Sequence, residues 1–229
     1  MTLHIGILVF PAVQQLDLTG PYEVFASLPD ARVHLVWKEL APITSASGLI
    51  LTPTATFADC PALDVLCVPG GNGVNALLKD GETLAFVRAK AEQARFVTSV
   101  CTGALVLGAA GLLVGRRATT HWIAFEFLEK FGAVATRGRV VRDGKLITAG
   151  GVTAGIDFGL TVIAELLGRP QAEATQLALE YAPQPPFDAG TPETAPPAVV
   201  EAVRRRMDAS RRARESIIGE LIEQRSRQD

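Results

Sequence analysis

The sequence predicts an α/β fold, a mainly parallel sheet with helices on both faces. Three observations carry this. Residues 3–10 are a near-continuous apolar run of strand length, as expected for a strand buried on both faces, 96–100 a short β-branched run that reads as a buried strand, and 63–68 a further short strand. Strand patterns alternate with helix patterns along the chain, which is how parallel crossovers are built. Finally, Cys101, Thr102 and Gly103 alone separate the run 96–100 from the Ala/Leu/Gly-rich run 104–110. A strand that becomes a helix so abruptly must bend sharply, and the residue at such a bend is strained and points away from the sheet.

Composition sets the frame. The 229 residues are 48% hydrophobic and 20% charged, with a formal net charge of −2, so one globular domain with an ample core is expected. Near-neutral charge gives no reason to expect nucleic acid or an anionic membrane as partner. The three cysteines, Cys60, Cys67 and Cys101, are odd in number and lack paired spacing, which argues for a reducing compartment. The first residues lack a basic segment, and the apolar run 5–10 is too short for a signal peptide or a membrane span. The expected location is cytoplasmic.

Taken in order, residues 3–10 form a strand and 11–21 a loop. Pro21 then suits the first turn of a helix over 22–28. Asp17 precedes that helix, near the carboxyl edge of the sheet where open α/β folds place ligands. Alone it reads as a loop or cap aspartate; beside a thiolate it is a proton carrier. Glu23, within the helix, reads as exposed or as a cap. Residues 32–38 are a second strand, and 42–52 a hairpin bending at Gly48. The strand 63–68 runs into Pro69-Gly70-Gly71-Asn72-Gly73. Glycines after a strand expose backbone N–H groups, so Gly70 and Gly71 read equally as ligand-cradling amides or as a turn pair. Neither a G-x-G-x-x-G dinucleotide fingerprint nor a P-loop is present.

A short helix over 73–78 and an amphipathic one over 80–93 lead to the elbow. Its residue is a cysteine. The helix start beyond it offers unpaired N–H groups that favour thiolate and stabilise developing negative charge, so Cys101 is the candidate nucleophile. Small apolar residues around it predict an uncharged substrate. His121, before a helix over 122–131, is a conceivable base for Cys101, although capping or packing is the stronger reading. Strands over 133–141 and 145–148 flank the turn at Asp143-Gly144. Helices follow over 154–167 and 170–181, punctuated by Gly168. Residues 182–197 are a proline-rich connector, and 199–225 one charged helix or two short ones. Its arginines, Arg204 to Arg206 with Arg211 and Arg212, read as a solvated face.

Five segments together carry a resemblance: Phe10-Pro-x-Val-Gln-Gln-Leu-Asp17-Leu-Thr-Gly-Pro21, Val68-Pro-Gly-Gly-x-Gly73, Ser99-Val-Cys101-Thr-Gly103, Ala118-Thr-Thr-His-Trp122 and Gly151-Val-Thr-Ala-Gly-Ile-Asp157. The chain resembles the DJ-1/PfpI superfamily, and within it the branch that hydrates isonitriles. The resemblance implies a flavodoxin-like fold, like that of class I glutamine amidotransferases, over residues 1–187, with 188–229 as connector and charged helical extension. It also implies a homodimer, a reactive cysteine matching Cys101, an acid matching Asp17, Thr102 beside the nucleophile, and no metal or organic cofactor. The reaction implied is hydration of R–N≡C to an N-substituted formamide through a Cys101 thioimidate. Gly70, Gly71, Thr102 and His121 would then line the substrate or oxyanion site. Other branches offer alternatives: a glyoxalase-like enzyme, or a stand-alone ligand- or redox-sensing domain related to AraC-type regulators. The protease-like branch follows its cysteine with His where this chain has Thr102.

Overall fold

The computed structural model describes residues 2–227. The elements in chain order are β1 (Leu3–Leu8), α1 (Gln15–Ala26), β2 (Ala31–Trp37), β3 (Ile43–Thr44), β4 (Ile50–Leu51), β5 (Ala55–Thr56), β6 (Val65–Val68), α2 (Val74–Leu77), α3 (Gly81–Gln93), β7 (Phe96–Val100) and α4 (Gly103–Ala109). They continue with β8 (Arg117–Ala118), a 3₁₀ turn (Trp122–Ala124), α5 (Phe127–Lys130), β9 (Val134–Ala135), β10 (Val140–Asp143), β11 (Leu146–Ala149), α6 (Ala154–Leu167), α7 (Arg169–Ala178) and α8 (Pro197–Ser226).

Seven strands form one sheet in the order β10-β11-β7-β6-β1-β2-β5. All neighbours are parallel except the β10–β11 hairpin, whose turn uses Gly144 at φ 62°. The apolar runs behave as buried strands should: every residue of β6, β7 and β11 is buried. The chain first winds from β1 to β2, then returns to place β6 on the other side of β1. The order therefore reverses between β1 and β6, and the crevice beyond their carboxyl ends is where such folds bind ligands. The segments after β1, β6 and β7 all open into it.

The helices form two groups. In one, α1 packs on α6 and α6 on α7; in the other, α4 packs on α2, α3 and α5, and α8 touches α2 and α5. This is the expected α/β, flavodoxin-like architecture.

Several boundaries differ from the sequence expectation. The first helix starts at Gln15 and holds Pro21 in its interior, so Asp17 sits in its first turn rather than ahead of it. Pro21 has no N–H for the carbonyl four residues earlier, that of Asp17. Tertiary packing offsets the loss: a Cβ at Gly155 would lie 3.0 Å from the Pro21 ring, and one at Gly159 2.9 Å from Val24. The glycines of α6 thus admit a buried, proline-bearing α1. The strand expected over 133–141 is split, because β9 leaves to pair with β8 and only β10 joins the main sheet. The helix expected over 122–131 is a 3₁₀ turn followed by one turn of α-helix. The tail is one continuous helix, α8. Among the described residues no helix is long and apolar enough to cross a membrane.

A close backbone approach lies at the elbow, where a Cβ on Gly103 would overlap the carbonyl oxygens of Val68 and Pro69. Gly103→Ala is expected to destabilise by roughly 1–3 kcal/mol through overpacking. Gly81 is also the first residue of a helix, yet a Cβ added there would meet nothing within 4 Å. Gly81→Ala should leave the thermal midpoint unchanged or slightly raised; equal losses in both variants would show that the close approach is not the constraint.

Candidate active site

The elbow is built as the junction demands. Cys101 has φ 56°, a left-handed conformation that costs a non-glycine residue roughly 1–2 kcal/mol. Its N–H donates to the carbonyls of Ala149 (3.1 Å) and Gly150 (2.9 Å). Its own carbonyl accepts from the Thr120 hydroxyl at 2.7 Å. β11 and the loop before the 3₁₀ turn therefore clamp the strained residue from both sides, and its side chain faces a cavity of about 440 Å³.

Asp17 lies directly behind the sulfur, with no solvent exposure. Its Oδ2 accepts the Gly70 N–H at 2.9 Å, while Oδ1 has no well-formed hydrogen bond. The carboxyl and the Cys101 thiol interact with each other. Burial pushes the Asp17 carboxyl up to about 7, and the Gly70 N–H and the Cys101 thiol oppose that only in part. Burial also holds the thiol well above its ordinary value, and the charge on Asp17 adds to it. The Thr102 backbone N–H acts in the opposite sense and is outweighed. A helix start by itself favours thiolate; in this closed cavity desolvation wins, which corrects the sequence expectation. Near neutral pH the thiol therefore keeps its proton, while the carboxyl, at about 7, is only partly ionised.

Thr102 buttresses the pair. It is 5% exposed, its hydroxyl accepts the Gly71 N–H at 3.1 Å, and it also favours the ionised sulfur. The two amides expected to cradle a ligand thus already serve side chains, Gly70 on Asp17 and Gly71 on Thr102. Gly70 has no room for a side chain: a Cβ would lie 2.6 Å from Thr102 N and 2.8 Å from Asp17 Oδ2. Gly71 adopts φ 130°, which only glycine takes readily. These glycines position Asp17 and Thr102.

His121 lines the cavity and caps the 3₁₀ turn, its Nδ1 accepting the Ile123 N–H at 3.3 Å. Burial, aided by Arg214, lowers it to about 4. It is neutral at physiological pH, and with Nδ1 accepting, the proton sits on Nε2. Such an imidazole donates a hydrogen bond but is a poor base for a buried thiol. Glu23 is exposed on α1, away from the pair. Cys67 is fully buried, with its thiol pushed up to about 12.

The largest departure is α8, which covers the cavity. Val203, Arg206, Met207, Ser210, Arg211 and Arg214 all line it. Arg214 is only 3% exposed; its Nε donates to Asn75 Oδ1 at 2.9 Å. Ser210 is tied to Asn72 and Asn75, and Arg211 pairs with Glu126 and Glu215. A count of charges hides this. The readable signal is spacing: Val203, Met207, Arg214, Ile218 and Leu221 share one helical face, and an arginine there interrupts an apolar stripe. Among the described residues no three His, Cys, Asp or Glu side chains are grouped to hold a metal ion.

A doubly flanked, mostly parallel sheet, a left-handed cysteine after one of its inner strands and an acid across the crevice define a class, and residues 4–165 match the DJ-1/PfpI family. The chain belongs to that family. It is 62% identical over 217 residues to an isonitrile hydratase from Pseudomonas putida, covering 95% of each chain. It superposes with TM-score 0.93 and 46% identity on the crystal structure of a THiJ/PfpI family protein from Pseudomonas syringae, covering 96% of this chain and 91% of that one. It is also 33% identical over 145 residues to the transcriptional regulator GbdR of Pseudomonas aeruginosa, but that match spans only 62% of this chain and 39% of the regulator.

The raised Asp17 makes a pH prediction. Its folded value, about 7, exceeds the ordinary 3.8. The native state therefore binds the extra proton between those values, and its stability falls as pH rises through that window. Asp17→Asn keeps an acceptor for the Gly70 N–H but has no charge to bury. Its stability, followed by thermal unfolding, should match wild type near pH 4 and exceed it increasingly up to pH 7, by at most about 4 kcal/mol. A difference that does not change with pH would mean that the carboxyl titrates normally.

Proposed function

We propose that the chain is an isonitrile hydratase, a hydro-lyase that converts R–N≡C to the N-substituted formamide, with Cys101 as nucleophile and Asp17 as general acid and base. The observation that carries this is the buried Cys101–Asp17 pair at the cavity floor, together with near-full-length identity to a hydratase. The isonitrile carbon must accept both a nucleophile and a proton, and this pair holds one of each.

Asp17 takes the proton from the Cys101 thiol as sulfur attacks the isonitrile carbon. The carboxylic acid so formed protonates that same carbon, giving the thioimidate R–N=CH–S–Cys. Water then adds to this carbon with Asp17 removing its proton. The proton passes to nitrogen, the C–S bond breaks, and the thiol is restored as R–NH–CHO departs. One water is consumed, and no electrons are gained or lost. Thr102 holds the Gly71 loop and favours negative charge on sulfur, and the neutral His121 offers its Nε2–H to the substrate. Gly70 and Gly71 keep the acid and the hydroxyl in place. None of these steps calls for a metal or an organic cofactor.

A homodimer and a cytoplasmic location complete the proposal. The exposed apolar side chains of Leu177 and Phe187 support the first, and three unpaired cysteines support the second. Residues 1–187 are the DJ-1/PfpI-like unit in this reading and 188–229 an extension, whose α8 lies over the cavity.

The test is turnover of cyclohexyl isonitrile and, separately, of methylglyoxal. The wild type should release the formamide and leave methylglyoxal unchanged. Cys101→Ala should be inactive. Asp17→Asn should lose roughly 10²–10⁴-fold in kcat, and Thr102→Val about tenfold or more for the lost hydrogen bond. Lactate from methylglyoxal without formamide from the isonitrile would replace this reading with the glyoxalase one.

A further inference from the structure

The hydration step involves no anion in substrate or product, yet a buried cation, Arg214, lines the cavity. Arg214 has no carboxylate partner among the described residues. Burying an unpaired guanidinium is costly, and here burial lowers its proton affinity. Its Nε is spent on Asn75, which fixes the plane of the group. Among the described residues the two terminal amines have no protein partner, and neither is sealed from the cavity. That leaves a fork of donors suited to a carboxylate. Arg206, at the cavity rim, also lacks an ion pair among the described residues, whereas Arg211 is already neutralised by Glu126 and Glu215. Among the described residues no acidic side chain lines the cavity; Asp17 stands behind its floor.

We propose that the cavity selects isonitriles whose substituent carries a carboxylate, bound by the Arg214 fork while the isonitrile carbon meets Cys101. This rests on the hydratase reading and extends it to a substrate class. It also revises the expectation of an uncharged substrate: the reacting group is uncharged, but its substituent is an anion. Arg214 and Cys101 line the same cavity of about 440 Å³, so one compact molecule must engage both, as a short isocyano acid can. Val152, Ile123 and Met207 supply apolar wall for the remainder. The corresponding products are N-formyl amino acids.

The experiment compares potassium isocyanoacetate with its methyl ester as substrates for wild type, Arg214→Lys and Arg214→Met. In wild type the acid should exceed the ester in kcat/KM by tenfold or more. Arg214→Met should abolish that ratio mainly through KM, and Arg214→Lys should recover part of it. Independently of turnover and of variant folding, N-formylglycine should bind wild type at least tenfold more tightly than its methyl ester by calorimetry. Equal handling of acid and ester by wild type in both assays overturns the proposal and leaves the hydratase reading standing. So does an equal fall in kcat for both substrates in Arg214→Met, which would assign the guanidinium to the sulfur instead. Tight binding of N-formylglycine with no hydration of either isonitrile overturns the hydratase reading.

Discussion

Everything at the centre of this molecule depends on a carboxyl group that water does not reach. Asp17 accepts a backbone amide through one oxygen and interacts with a sulfur atom, and neither neighbour offers a full countercharge. Solvation by protein dipoles is too weak to keep the group a strong acid, so its proton affinity rises to the range where it can both take and return a proton. The same burial keeps the thiol protonated. Burial thus raises both groups, bringing the acid to the range of neutral pH while the thiol holds its proton more tightly.

The scaffold serves that constraint. Sulfur, acid and supporting amides come from the segments after β7, β1 and β6, three adjacent strands whose order places a crevice between them. Glycines let these segments approach: Gly70 between Asp17 and Thr102, Gly103 against the end of β6. The strained φ of Cys101 is tolerated because hydrogen bonds to Ala149, Gly150 and Thr120 hold both ends of its peptide unit.

Much of this is readable from residues alone, for physical reasons. Continuous apolar runs mark strands buried on both faces, and the abrupt passage from β7 to α4 leaves the elbow no other geometry. Less is readable where tertiary packing overrides local preference. Pro21 reads as a helix start, yet α1 runs through it because the glycines of α6 make room for the ring. Gly70 and Gly71 read as free amides, yet their hydrogens are taken by side chains distant in sequence. Arg214 hides among arginines that are indeed solvated, and only its place on an apolar stripe sets it apart. The thiol moves opposite to expectation, since a rule about helix ends takes no account of how far a cavity is closed.

The helix over the cavity has a consequence for how the site comes into being. Synthesis proceeds from the amino end, and domains begin to organise as they emerge. The acid, the glycine loop and the sulfur are all encoded ahead of α8, so the nascent crevice exists before its roof. During that interval the reactive pair is wet and the guanidinium absent. The walls of the cavity are therefore complete only when a distant stretch of polypeptide settles onto α2 and α5.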